Sequence, residues 1–289
     1  MINKLFTGAC TALVTPFADG HINYPMLEKL LTRQIDAGIK AIVLAGTTGE
    51  ASTLTDNEKV ELFHRAKKFV SNDCMIIAGS GSNSTAQAID RSIKAERAGA
   101  DALLIVSPYY NKATSDGLIA HYTAIAEVVS IPMILYNVPS RTGMDIPISV
   151  YQKLSRIPKV AGVKEASTDI TKITRIKNAC SPGFTVWSGN DDTTVPAISL
   201  GASGVISVLS NICPAEIGAM ANAALDGDLD TATDLQLRLQ PLFDLLFCEV
   251  NPIPVKEAMK YIGLDCGECR LPLCRLSKEN QIRMKEFFS

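Results

Sequence analysis

Histidine is scarce in this chain, three among 289 residues, and neither charge sign is in excess: 28 lysines and arginines face 30 aspartates and glutamates, a net of −2. That balance leaves no basic stripe of the kind nucleic acid or an anionic membrane selects. No stretch reaches the roughly 18 consecutive apolar residues of a membrane span. No low-complexity segment, linker or long block of like charge interrupts the sequence. The glycine-rich GSGSN (79–83) lacks both the Gly-x-Gly-x-x-Gly spacing and the lysine of a P-loop, and reads as a strand-end turn. His21, His64 and His121 fall in a loop or on helices, away from strand ends and from any second metal-type ligand, so no metal site is expected. Paired catalytic acids are also missing. Of the nearby carboxylates Glu50, Glu165, Asp191 and Asp192, the last two read as helix N-terminal caps. Small-molecule chemistry remains open.

The N-terminal MINKLFTGACTALVTPF has one early lysine, and Thr7, Gly8 and Thr11 break its apolar run before Pro16. It reads as a first strand rather than a signal peptide, and a cytoplasmic location is expected. Cysteine, by contrast, is present eight times. Most of these stand singly in apolar surroundings, where a reduced thiol behaves as a small hydrophobe. The exception is CGECRLPLC (266–274), whose Cys-x-x-Cys spacing can hold zinc or form a redox pair. With no second pair nearby, Cys266, Cys269 and Cys274 read as reduced thiols of a surface loop.

Hydrophobic residues make up 47% of the chain, enough for a large core. They fall into eight short runs: GACTALVTPF (8–17), AIVLAGTT (41–48), MIIAGSG (75–81), ALLIVSP (102–108), PMILYNVP (132–139), VAGVKEA (160–166), TVWSGND (185–191) and GVISVLS (204–210). Continuous rather than alternating runs suit strands buried on both faces of a parallel sheet. Between them the period is helical. YPMLEKLLTRQIDAG puts Met26, Leu27, Leu30, Leu31 and Ile35 on one face with Gly38 as a stop, and Thr55 with Glu58 forms a capping-box signature. Eight β-then-α units in succession predict an α/β fold, a (β/α)8 barrel of the TIM type, over 1–213; a doubly wound open sheet is the alternative. Residues 214–289 are helical in pattern and are expected to give the final barrel helix and a C-terminal helical extension of the same domain.

In such barrels the chemistry sits at the C-terminal ends of the strands. Those ends read AGTTGE (45–50), SPYYN (107–111), YNVPSRTG (136–143), Lys164, SGND and SVLSN, so hydroxyls, one arginine and one lysine converge on one rim. A lysine closing the hydrophobic run VAGVKEAS needs a reason, because desolvating an ammonium is costly. Its amine is protonated at its ordinary pKa of about 10.4, and only the neutral form attacks a carbonyl; burial and neighbouring cations can lower the pKa to ~7–8. Lys164 is therefore either a Schiff-base lysine or a salt-bridged one. Glu165, adjacent in sequence, would point to the opposite face of the strand. Tyr136 can move protons for imine formation, with Thr47 and Tyr110 extending a relay. The amides of the GTTG turn can cradle a small carboxylate, and Arg141 can hold a second one in bidentate fashion. The pattern suits a keto-acid site.

GTTGE, SPYYN, YNVPSRTG, VKEAS, GVISV and NPIPVK, in order from about residue 5 to 275, closely resemble the dihydrodipicolinate synthases (4-hydroxy-tetrahydrodipicolinate synthases) of lysine biosynthesis. These are class I, pyruvate-dependent aldolases, a superfamily that includes N-acetylneuraminate lyase. The resemblance implies a lyase of the diaminopimelate route that joins pyruvate and L-aspartate 4-semialdehyde, with Lys164 as Schiff base and Tyr136 as proton shuttle. Thr47 and Tyr110 would complete the relay, Tyr110 in the neighbouring subunit's site. Thr48, Ile206 and Gly189 would border the pyruvate, and Arg141 would anchor the semialdehyde. It implies no cofactor and no metal, and a homotetramer built as a dimer of dimers. N-Acetylneuraminate lyase is the alternative within the superfamily, disfavoured by Arg141; a non-catalytic keto-acid-binding barrel is disfavoured by the complete set of reactive side chains. Many relatives are inhibited by lysine in a cleft that corresponds here to Ala51, Ser52, Asp56, Lys59, Asn83, Gln87 and Tyr109. Lys59 and neutral Gln87 stand where inhibited bacterial relatives typically have histidine and glutamate, so insensitivity to lysine is expected.

Overall fold

The computed structural model describes residues 5–289; Met1–Lys4, the start of the segment read as an opening strand, lie outside the described residues. Eight parallel strands close into a barrel: β1 (Gly8–Ala12), β2 (Ala41–Leu44), β3 (Met75–Gly79), β4 (Ala102–Val106), β5 (Met133–Asn137), β6 (Val160–Glu165), β7 (Thr185–Ser188) and β8 (Gly204–Ser207). They pair in sequence order, and β8 returns to β1 with Cys10 opposite Ile206. All eight hydrophobic runs became strands, each trimmed at its C-terminal end, where the chain turns out to form the rim.

Strands buried on both faces need two apolar layers. Inside the barrel, small side chains such as Cys10, Ala12, Ala41 and Ala102 pack with Ile77, Ile134 and Ile206. Phe6 stacks on Trp187 at 4.8 Å between ring centroids and fills the interior from one side. Outside, the apolar faces of α1 (Tyr24–Asp36), α2 (Asp56–Val70), α3 (Thr85–Arg97), α4 (Ser115–Val128), α5 (Ile148–Leu154), α6 (Thr171–Ala179) and α7 (Thr194–Ser199) cover the strands. The capping box forms as expected: Thr55 Oγ1 accepts from Glu58 N and Glu58 Oε2 accepts from Thr55 N. Such a cap is worth about 1 kcal/mol. Gly38 follows α1 with φ of +81°.

The C-terminal helices are α8 (Pro214–Asp226), α9 (Leu229–Leu246), α10 (Ile253–Tyr261) and α11 (Lys278–Phe287). Residues 262–277 interrupt the helical pattern of 214–289 and join α10 to α11 as an irregular segment, as expected of the loop read at 266–274. Gly263 and Gly267 adopt φ of +76° and +69°, outside the helical region, and Pro272 cannot donate to a helix. This segment instead runs back over the barrel, where Cys266 O accepts from Phe17 N at 2.9 Å and Glu50 Oε2 accepts from Arg270 N at 2.8 Å. Cys266 is thereby buried, not a surface-loop thiol; only Cys274 of the three is exposed. A small antiparallel hairpin, Phe17–Ala18 with His21–Ile22, also went unread in the sequence and takes His21 out of a loop.

Candidate functional site

Period-two alternation decides which side chains enter the barrel mouth. On β5 and β6 the register sets Tyr136 opposite Lys164 and Asn137 opposite Glu165. The first pair points inward and the second outward. Lys164 is 5% exposed, and its Nζ lies 4.6 Å from the centroid of the Tyr136 ring, a cation–π contact. It forms no salt bridge or hydrogen bond with another described residue. Glu165 is fully engaged elsewhere. Its Oε1 accepts from Asn137 Nδ2 at 2.8 Å and Ser167 N at 2.9 Å, its Oε2 from Tyr151 Oη at 3.1 Å, and Lys172 Nζ lies 3.7 Å away. Lys172 pairs in turn with Asp145. Burial, with the Glu165 charge in support, pushes the Tyr151 phenol well above its ordinary pKa, so it stays a donor. The salt-bridged reading of Lys164 through Glu165 thus fails on geometry.

The carboxylate that Lys164 does influence is Asp191. It is buried, and desolvation raises its pKa; Ser207, the amides of Val208 and Leu209 and the Lys164 charge pull the other way. Its Oδ2 accepts from Val208 N at 2.8 Å and Leu209 N at 3.1 Å. Asp191 therefore caps the turn Leu209–Asn211 after β8, and not the turn Asp191–Thr193 in which it resides. Gly189, just after β7, donates its N–H to Glu165 O at 2.7 Å. A Cβ there would lie 2.6 Å from Ala166 Cβ and 3.0 Å from Lys164 Cε, so only glycine lets the lysine stem lie where it does.

A cavity of about 450 Å³ opens at this rim, lined by Thr47, Tyr136, Val138, Arg141 and Asn251 among others. Thr47 and Tyr136 share its wall without a hydrogen bond between them. Thr48 is buried, and its Oγ1 accepts from Asn251 Nδ2 at 3.0 Å, which leaves its hydroxyl hydrogen free to donate. Arg141, on the turn Pro139–Thr142, donates from Nη2 to Asn251 O at 3.1 Å and has no carboxylate partner among the described residues. Ile206 is fully buried in the inner layer beside Cys10. Of the candidate residues only Thr47, Tyr136 and Arg141 line the cavity; Lys164, Thr48, Gly189 and Ile206 are not part of its lining, and Tyr110, 89% exposed with φ of +70°, lies outside it as well.

Two supporting elements were not legible as such. Asn251 ties the Thr48 turn to Arg141, and its Oδ1 is buried without a partner among the described residues. Its only sequence signal was its place at the head of NPIPVK. Glu50, buried with φ of +56°, bonds Lys256 Nζ at 2.6 Å and fixes the GTTGE turn to α10. No group of three or more potential metal ligands occurs among the described residues. Cys266 and Cys269 are both pushed up to about 12 by burial, which makes them inert thiols.

A protein-family model described as the dihydrodipicolinate synthetase family matches residues 5–289. A 4-hydroxy-tetrahydrodipicolinate synthase from Thermoanaerobacter sp. is 46% identical over 286 residues, 99% of this chain and 96% of the relative. The crystal structure of dihydrodipicolinate synthase from Aquifex aeolicus superposes with a TM-score of 0.96 at 40% identity, covering 98% of this chain and 97% of that one. The chloride-inhibited dihydrodipicolinate synthase of Acinetobacter baumannii, complexed with pyruvate, gives a TM-score of 0.94 at 40% identity over 97% of each chain.

Proposed function

Because the chain belongs to the dihydrodipicolinate synthetase family, we propose that it is a 4-hydroxy-tetrahydrodipicolinate synthase, a lyase of the class I aldolase type acting on pyruvate and L-aspartate 4-semialdehyde. The observation that carries the reading is Lys164: a buried strand-end amine without a carboxylate partner among the described residues, its Nζ 4.6 Å from the centroid of the Tyr136 ring.

The chemistry follows from that arrangement. The Lys164 amine adds to C2 of pyruvate, and the carbinolamine loses water to give an imine. Tyr136 carries the protons these steps require, and Thr47 on the same wall passes them outward. Thr48 and the neighbouring turn amides hold the pyruvate carboxylate; Gly189 and the Ile206 carbonyl border the imine. Loss of a C3 proton gives the enamine, whose C3 attacks the aldehyde carbon while Arg141 holds the semialdehyde carboxylate. The semialdehyde amine then displaces Lys164 from C2, which closes the ring and frees the enzyme. No external cofactor enters these steps.

The same reading includes a homotetramer, a dimer of dimers in which exposed Tyr110 completes the relay of a neighbouring subunit, and a cytoplasmic location. No helix of the described residues is long and apolar enough to cross a membrane. Borohydride reduction in the presence of pyruvate tests the core of the proposal. Peptide mapping should place a reduced pyruvyl group on Lys164 alone. Arg141→Ala should keep the label and lose condensation by about a hundredfold or more, since a bidentate charged contact is worth several kcal/mol. Label on another lysine, or turnover of N-acetylneuraminate in preference, defeats it.

A further inference from the structure

Strand β6 carries one residue more than its neighbour β5 can match. Met133 pairs with Val160, but the next residue, Ile134, pairs with Gly162, so Ala161 is an extra residue, a β-bulge. Its effect is on the faces. Val160 and Val163 both pack in the outer apolar layer with Met133 and Leu135, although they stand three positions apart. Strict alternation from Val160 would send Val163 inward and Lys164 outward. Pairing residue for residue from Met133 and Val160 would set Val163 opposite Tyr136 and Lys164 opposite Asn137. The bulge is what brings Lys164 to the inner face, opposite Tyr136. Only glycine fits beside it, because a Cβ on Gly162 would lie 2.0 Å from Thr185 O.

Two registers are thus open to one strand, and Ala161 and Gly162 are small enough for either face. The choice falls at the end of β6, on Glu165. Its buried carboxylate accepts from Asn137 Nδ2 at 2.8 Å and Ser167 N at 2.9 Å through Oε1, and from Tyr151 Oη at 3.1 Å through Oε2. Asn137 is itself pinned: its Oδ1 accepts from Ile146 N at 3.0 Å, and its Nδ2 also donates to Asp145 Oδ1 at 2.8 Å. In the register without a bulge, Glu165 would face the interior and lose these partners, and a buried carboxylate without hydrogen bonds is costly. We propose that Glu165 is a positioning residue for the reaction: its hydrogen bonds on the outer face of the barrel hold β6 in the bulged register and so turn Lys164 towards Tyr136. The proposal rests on the Schiff-base role of Lys164 given above. Lys172, 3.7 Å from Glu165, also pairs with Asp145, so replacing Glu165 strands no cation.

The test is the rate of borohydride-trapped pyruvate on Lys164 per mole of folded enzyme, with the folded share taken from circular dichroism. Glu165→Ala should trap about a hundredfold or more slowly, the order that a misplaced reacting group costs. Glu165→Gln keeps an acceptor for Asn137 and Ser167 and should stay within about tenfold of the parent. Deleting Ala161 from Glu165→Ala should recover most of the lost rate, because the strands then pair residue for residue with Lys164 opposite Tyr136. A role in stability alone would lower the melting temperature of Glu165→Ala and leave its trapping rate per folded molecule unchanged. That result, a Glu165→Gln variant as slow as Glu165→Ala, or no recovery on deletion overturns the proposal. Should Glu165→Ala not fold, Glu165→Gln and the Ala161 deletion in the parent decide: both should trap within about tenfold of the parent, and loss of trapping in either overturns it. If the parent itself takes up no pyruvate, the Schiff-base reading fails instead. A crystal structure of Glu165→Ala then decides this one: Val163 opposite Tyr136 supports it, and Lys164 still opposite Tyr136 overturns it.

Discussion

Replacing Gly189 by alanine should separate the placing of Lys164 from the binding of pyruvate. The new methyl would stand 2.6 Å from Ala166 Cβ, 3.0 Å from Lys164 Cε and 3.2 Å from Glu165 O. Carbon atoms settle at about 3.5–4.0 Å, so relief requires a movement of roughly 1 Å. The Gly189 N–H to Glu165 O hydrogen bond ties the two strand ends together, and Glu165 is anchored by Asn137 and Tyr151. The soft partner is the Lys164 side chain, which will swing first. A misplacement of about 1 Å at a reacting group costs on the order of a hundredfold in rate, or ~2.7 kcal/mol of barrier. Overpacking should cost about 1–3 kcal/mol of stability, and the melting temperature falls by about 2–4 °C for each of those in a chain of this size. The assay is the rate of borohydride-trapped label on Lys164 at saturating pyruvate, with steady-state kcat and KM alongside. The expected result is slow trapping and low kcat with little change in the KM for pyruvate. A rate within about threefold of the parent with a raised pyruvate KM would refute the reasoning and return Gly189 to a simple substrate-binding role.

Three further outcomes are expected. Lysine up to millimolar concentration should leave initial rates unchanged, because Lys59 and Arg91 set two cations where its ammonium groups would need anions; half-inhibition below that range would contradict it. Lys256→Met should destabilise the chain by ~3–5 kcal/mol by stranding the buried Glu50 carboxylate, and adding Glu50→Leu should recover much of the loss in a denaturant melt. If Tyr110 acts in trans, light scattering should show an assembled enzyme, and a fully active monomer would exclude that relay.

Local rules carried the sequence reading of this protein a long way. Eight buried runs, the helical period between them and the Thr55–Glu58 cap are each settled by residues a few positions apart, so the barrel and the strand ends that form its rim were readable without coordinates. The alternation along β6 likewise separated Lys164 from Glu165 before either was placed. Folding decided the long-range pairings: Asn251 on Thr48, Lys256 on Glu50, Asp191 on the amides after β8, Gly189 against the lysine stem, and the return of 262–277 across Phe17. Asn251 and Thr48 stand 203 positions apart, and a sequence names no partner at that distance. Their meeting is a consequence of barrel closure, which brings loops from opposite ends of the chain to one rim. The sharing of Asp56 by two cations has the same origin. Lys59 and Arg91 lie on different helices, and only the packing of α2 beside α3 makes them share Asp56.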